Sequence, residues 1–307
     1  MAGLAVFTPR AACSDAERRL AVWAHDDLRA RGHEAWVETH WVRPQLAAGL
    51  ALGCALTAAG GLIAIGAPVA GLVVAAVGAL SVLVDASGGA GPLRRLLPRR
   101  ATQVVLVAPP PDEPAPVVEL LLVARTDVPR GGLVRRLAGV PGGLWWLAGC
   151  ALAVVAAAAA RVAGADGTLL GALQLVPTVV LLAAVAGALD SLASGLGDGR
   201  DEDAALVAAL AAHDALVREP AAGVAAGLVL APPDALRSHL RRERPDPRRT
   251  ALLHVRAGPV RSRHPQWRAA AAAAGLTAQK GGPRGVPAAL AAPDDAERLA
   301  RGLARTL

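Results

Sequence analysis

Apolar positions in this chain gather into two long blocks that carry almost no charge, with polar segments before, between and after them. The first block runs from Leu46 to Val84. At about 1.5 Å per residue, one helix over that block would be about 58 Å long, roughly twice the ~30 Å hydrocarbon core of a bilayer. The block breaks at Gly66-Ala67-Pro68. It therefore reads as two membrane spans, 46–65 and 68–84, joined by a tight turn and ended by Asp85. The second block, Leu144 to Leu189, is interrupted by Arg161, Asp166 and Gly167 and reads as spans 143–161 and 168–189. Pro177 lies inside the last span, where neighbouring helices can absorb its missing hydrogen bond. Trp41 precedes the first span and Trp145-Trp146 open the third, positions that suit a membrane–water interface.

The polar segments have the periods of an α/β domain. Ser14 to Gly32 reads as a helix, with Ser14 and Glu17 spaced as a capping box and Leu20, Val22, Trp23 and Leu28 as its apolar positions. His33 to Val42 alternates as a strand does. Thr102–Ala108 and Val117–Ala124 are apolar on both faces, as expected of strands covered on both sides, and a Pro-rich turn at 109–114 separates them. Further on, a helix with an acidic first turn continues through Leu216, and strands follow at Val224–Leu230 and Leu252–Ala257. An Ala-rich helix at 268–275, a loop at 281–285 and a closing helix at 293–303 complete the pattern. The expected fold is an α/β domain, an open sheet with helices, interrupted by two transmembrane helical hairpins. Its pieces are 1–45, 86–142 and 190–307, and the hairpins are 46–85 and 143–189.

Composition sharpens this picture in a few places. Apolar residues make up 54% of the chain and aromatics only 2%, and the mean hydropathy of +0.41 is high for a soluble enzyme. The formal charge of +7 is carried almost wholly by arginine, with Lys280 the only lysine, a bias that weakens any nucleic-acid reading. Cys13, Cys54 and Cys150 are scattered and make no disulfide framework. The first forty residues are polar and contain no signal-peptide core. Arginines concentrate before the first span, between the second and third, and after the fourth. The positive-inside rule then expects an inner-membrane protein with both termini cytoplasmic. Arg237 to Arg249 holds six arginines against Glu243 and Asp246. That stretch suits either contact with anionic lipid headgroups or a solvated helix end. No stacking platform or nucleic-acid motif accompanies it, so the expected partner is the lipid bilayer, with no nucleic acid and any protein partner unknown.

One stretch bears directly on chemistry. Leu120 to Leu133 (LLLVARTDVPRGGL) is an apolar strand that ends in polar residues and a Pro/Gly turn, a common active-site edge in open α/β sheets. A helix ending in Leu-x-x-x-Gly, an extended segment, a strand near Gln103-Val104-Val105, a Pro-rich turn and the run into Val123-Ala-Arg-Thr-Asp127 follow in order. Together they resemble the two-zinc aminopeptidases of the bacterial leucyl aminopeptidase type, in a membrane-inserted form. The resemblance implies a peptidase-like fold and an Ala-His-x-Asp motif at Ala124–Asp127. Arg125 stands where that motif has its zinc-binding histidine, and a guanidinium stays protonated and offers no lone pair. Asp127 remains. For the family's metal-bridging aspartate the chain offers Asp198 or Asp201, which also suit the acidic start of a helix. After Val224–Leu230, where the family has paired glutamates, it offers Asp234, and the later strand, where the family has another aspartate ligand, offers His254 or Arg256.

Too few donors survive for two metals and a water-activating base. The resemblance thus implies a vestigial site at Arg125, Asp127, Asp198, Asp201, Asp234 and His254, and no metal cofactor. The expected role is a non-catalytic scaffold, binding or regulatory protein, in effect a pseudoenzyme. A membrane-bound zinc peptidase with an altered site is the alternative. The other histidines show no metal-ligand spacing: His33 and His40 are not expected to meet, and His213-Asp214 reads as a solvated helix face.

Overall fold

The computed structural model describes residues 4–108, 118–140, 142–218, 224–246, 250–255, 260–262, 278–280 and 288–289. The predicted turn at 109–114 and the predicted elements at 268–275, 281–285 and 293–303 lie outside them. The chain divides into two compact units, one of Met1–Val42, Arg100–Pro129 and Leu196–Leu307, the other of Arg43–Arg99 and Arg130–Gly195.

The first unit is mixed α/β. Its described helices are α1 (Asp15–Ala30), α8 (Arg200–Arg218) and α9 (Pro233–Glu243). The strands are β1 (Ala35–Val42), β2 (Arg100–Val107), β3 (Val118–Ala124), β4 (Val224–Leu230) and β5 (Thr250–Val255), with short pieces β6 (Val260–Ser262), β7 (Ala278–Lys280) and β8 (Ala288–Ala289). They form one sheet in the order β1-β2-β4-β3-β5-β8-β6-β7. β3 lies between β4 and β5 and is parallel to both, so these three strands end at a common carboxyl edge. β2 runs antiparallel to β4 and to β1.

Period-2 alternation sorts the core into two layers. Val105, Val107, Leu120, Leu122, Leu228 and Leu230 face one side, against Leu20, Leu28, Leu206 and Leu210 of α1 and α8. Val104, Leu106, Val123 and Val229 face the other, against Ala235 and Leu236 of α9. Burial on both sides is why these strands read as continuous apolar runs.

The caps of α1 follow from its sequence. Ser14 is the N-cap and accepts from the Glu17 backbone N–H at 3.2 Å, while the Glu17 carboxylate accepts from the Cys13 N–H at 2.6 Å. At the other end Gly32 takes φ +88°, its N–H reaches the Arg29 carbonyl at 3.0 Å, and the His33 N–H reaches the Leu28 carbonyl at 3.1 Å. That pair of bonds is a Schellman motif, and it fixes where His33 leaves the helix.

The second unit is helical: α2 (Leu46–Ile63), α3 (Pro68–Ala86), α4 (Pro92–Leu96), α5 (Leu133–Gly139), α6 (Gly143–Val162) and α7 (Thr168–Ala193). Four of these, α2, α3, α6 and α7, are long and apolar enough to cross a membrane. They coincide with the spans read from the sequence to within a few residues, and α7 continues through Pro177. Small residues bring α2 and α3 into backbone contact. A Cβ at Gly60 would overlap the backbone of Ala75, and one at Gly71 the backbone of Ala64. A Cβ at Gly78 would lie 2.6 Å from the Thr57 nitrogen. Such close approach through small side chains is how helices associate where no water drives them together. Gln174 of α7 donates to the Gly61 carbonyl at 2.7 Å and accepts from Arg161 of α6 at 3.0 Å, which pairs the buried Gln174 amide inside the bundle.

Candidate functional site

The carboxyl edge of β3, β4 and β5 carries the first candidate site. β3 ends at Ala124, whose carbonyl accepts from the Ala231 N–H at 3.0 Å and ties the ends of β3 and β4 together. Beyond it, Arg125 turns back on Asp127: Nε donates to Oδ1 at 3.1 Å and Nη2 to Oδ2 at 2.9 Å. This fork uses both oxygens of a carboxylate whose side chain is only 7% exposed. Thr126, between them, is fully buried. Its carbonyl accepts from Nε of Arg10 at 2.6 Å, and Nη2 of that buried arginine lies 2.5 Å from Asp203 Oδ1 in the first turn of α8.

A second carboxylate meets this edge from α1. Glu17 is buried, and its Oε1 accepts from the Thr102 hydroxyl at 2.6 Å. Burial pushes its carboxyl pKa up and the charge of Asp127 adds to that, while the bonds from Thr102 and Cys13 pull it down. The Cys13 thiol is pushed up to about 12, chiefly by burial and then by Glu17, with Asp234 and Asp127 adding and Arg100 opposing. Cys13 is therefore a protonated, unreactive thiol at neutral pH. Asp234 sits in the first turn of α9, 3.7 Å from Arg237.

Of the residues singled out from the sequence, Arg125, Asp127 and Asp234 belong to this edge. His254 lies on β5 opposite Val123 in register. Asp198 is exposed and paired with Arg200 at 3.6 Å, and Asp201 is exposed in the first turn of α8. The acid of that helix drawn towards the strand edge is Asp203. Glu17, Thr102, Arg10 and Asp203 were not visible as site residues. Glu17 carries only the signature of a cap, and Arg10 precedes the first helix in a stretch with no period.

Among the described residues, two histidine–carboxylate groups lie elsewhere in the α/β unit, each with ligand atoms within 4.8 Å of one another. In one, Glu38 and His40 project from the same face of β1 towards His239 of α9. Glu38 Oε2 lies 3.1 Å from His40 Nε2 and 3.3 Å from His239 Nδ1. Arg242 also pairs with Glu38 Oε2, and Ser238 Oγ lies 3.1 Å from His40 Nδ1. Bonds to His40 and His239 and the charge of Arg242 lower the Glu38 pKa, against the burial that would raise it.

The other group joins His33, His213 and Asp214. His33 Nε2 lies 2.7 Å from Asp214 Oδ1, and Arg31 Nη1 donates to Oδ2 at 2.6 Å. The rings of His33 and His213 meet edge-on with centroids 4.8 Å apart. His213 is fully buried, which corrects the solvated-face reading. Leu206, Ala209, His213 and Leu216 form one helical stripe, and that period was the available signal. His33 and His40 do stay apart, as expected, because each joins a different group.

The fold and its edge define a class: a mixed α/β domain on a chain that has, among the described residues, four helices long and apolar enough to cross a membrane. No known protein family, curated protein or solved structure matches the chain.

Proposed function

We propose that this chain is a multi-pass inner-membrane protein with a peptidase-like cytoplasmic domain, descended from two-zinc aminopeptidases, that binds or regulates a partner and does not hydrolyse peptides. Both termini face the cytoplasm in this reading. The observation that carries it is the Arg125–Asp127 fork. A guanidinium takes one lone pair on each oxygen of the one aspartate left from the Ala-His-x-Asp position, and its fixed positive charge beside them opposes a second cation there.

The competing reading is a membrane peptidase with an altered site. It draws support from the gathering of Glu17, Asp127 and Asp234 at one strand edge and from the raised pKa of buried Glu17, since perturbed carboxyl groups favour functional edges. One experiment separates the two. The detergent-purified chain is assayed on aminoacyl and dipeptide substrates with zinc supplied, beside Asp127→Asn and Glu17→Gln. The non-catalytic reading expects background hydrolysis from all three and metal content that does not change with Asp127→Asn. Turnover by the wild type that both substitutions abolish would establish the peptidase.

A further inference from the structure

The His33–His213–Asp214 group lies at the edge of the sheet opposite the Arg125–Asp127 fork. α8 starts at the carboxyl edge, where Asp203 meets Arg10, and ends before the amino end of β4. His33 precedes Ala35, which pairs with Val107 at the far end of β2. The group therefore owes nothing to the vestigial peptidase position and has to be explained separately.

What needs explaining is His213. Its side chain is wholly buried, and neither ring nitrogen has a hydrogen-bond partner among the described residues. A neutral imidazole always has one N–H to donate and one lone pair to place, and buried polar groups left unpaired are rare and costly. Around it the neighbouring groups are already fixed. The Schellman end of α1 places His33, and Arg31 holds Oδ2 of Asp214 while also pairing with Asp27 at 2.6 Å. Arg31 thereby orients the carboxylate and leaves Oδ1 facing His33, the relation that outer partners have to metal-binding carboxylates.

We propose that His33, His213 and Asp214 form a binding site for a zinc-class divalent cation. Two imidazoles and one carboxylate are a donor set that zinc accepts in tetrahedral geometry, with a fourth position for water or an exogenous ligand. Ligand bonds of about 2.0–2.2 Å place neighbouring donors roughly 3.3–3.6 Å apart in tetrahedral geometry. The ligand atoms here all lie within 4.8 Å of one another, so the widest separation must close to that spacing when the cation binds. The His33–Asp214 contact at 2.7 Å opens as the cation enters between them. Burial keeps His213 neutral, with its pKa lowered to about 4, so its lone pair is available at neutral pH. Glu38, His40 and His239 are the weaker candidate, because Arg242 and both histidines converge on the one oxygen Oε2 of Glu38, whereas Arg31 holds the oxygen of Asp214 that His33 does not.

The test uses the full chain in detergent, stripped with chelator and titrated with cobalt(II). The wild type is expected to develop the visible d–d bands of four-coordinate cobalt at saturation, and zinc is expected to displace them. His33→Gln and His213→Gln should each weaken binding on the order of 10–100-fold or more. Asp127→Asn and His239→Gln should leave the bands unchanged. His33 lies just past the helix, so His33→Gln remains informative if a substitution at the buried His213 prevents folding. A wild type without bands overturns the site, as do bands that survive both His33→Gln and His213→Gln. Bands lost only in Asp127→Asn would overturn this site and the non-catalytic reading together, whereas peptidase turnover alone would leave this site standing.

Discussion

Two residue-scale arrangements in the α/β unit have opposite physical characters. Asp127 is a buried charge held by a partner, and Arg125 is 37% exposed. Removing the guanidinium leaves a carboxylate with no counterion among the described residues. A fully buried pair broken this way costs about 3–5 kcal/mol. Solvent reaches Arg125, so Arg125→Ala is expected to cost about 1–2 kcal/mol, read as a lowered midpoint in denaturant titration of the detergent-solubilised chain. His213 is instead a neutral group that burial holds neutral, with its pKa lowered from 6.5 to about 4. Above pH 6.5 it is unprotonated in both folded and unfolded states. As pH falls from 6.5 towards 4 only the unfolded chain takes up the proton, so stability is lost across that window, by about 3 kcal/mol at its end. Glu17 acts in the other sense, since its raised pKa stabilises the fold at low pH and that contribution is lost as pH rises. The difference between wild type and His213→Leu, measured with chelator present, isolates the histidine. The pH dependence of apparent melting temperature between 7 and 4 should be shallower in the variant, and equal slopes would mean that His213 titrates normally.

At the scale of elements, what could be read from the sequence was whatever a local period encodes. The four spans, the capped α1, the twice-buried strands and the start of α8 each show a repeat or a boundary signal within their own residues. The short helices α4 and α5 do not, because five and seven residues hold too few turns to display a period. Pairing across the chain was equally hidden. Nothing near Ser14 marks Glu17 as the acceptor for Thr102, and nothing near His33 marks Asp214 as its partner 181 residues away. Proximity of that kind follows from strand order, which the apolar pattern leaves open. Close packing of α2 on α3 makes an element-scale prediction. Gly60→Ala pushes a methyl into the Ala75 backbone and is expected to cost about 1–3 kcal/mol, as overpacked sites do. A Cβ at Gly149 of α6 meets nothing within 4 Å, so Gly149→Ala should be neutral to within about 1 kcal/mol. Thermal aggregation of the two solubilised variants compares them directly, and equal midpoints would show that the α2–α3 contact is looser than described.

At the scale of the whole molecule, the proposed inner-membrane orientation, with both termini cytoplasmic, rests on where arginine lies. Arg94, Arg95, Arg99 and Arg100 flank the first hairpin, whereas its turn at 66–67 has no charge. The second hairpin turns near Asp166, whose side chain is 84% exposed. Arg161 beside it is a cation on the face predicted to be external, but it does not compete with the flanking clusters. Its side chain is buried, bonded to Gln174 and within 3.7 Å of Asp166, so its charge is satisfied inside the bundle. Orientation is set by cations counted close to the span ends, and those counts favour the flanking segments. Single cysteines introduced at Gly66 and Asp166 should therefore react with a membrane-impermeant maleimide on intact cells once the outer envelope is permeabilised. Cysteines at Arg99 and Arg200 should react only after the inner membrane is opened. The native thiols permit the experiment, since Cys54 and Cys150 are buried and Cys13 is protonated with a pKa of about 12. If labelling at all four positions follows the reverse order, the chain is inverted. The α/β unit would then face the periplasm, where Arg237, Arg241, Arg242 and Arg244 of the α9 end could not meet the anionic cytoplasmic leaflet.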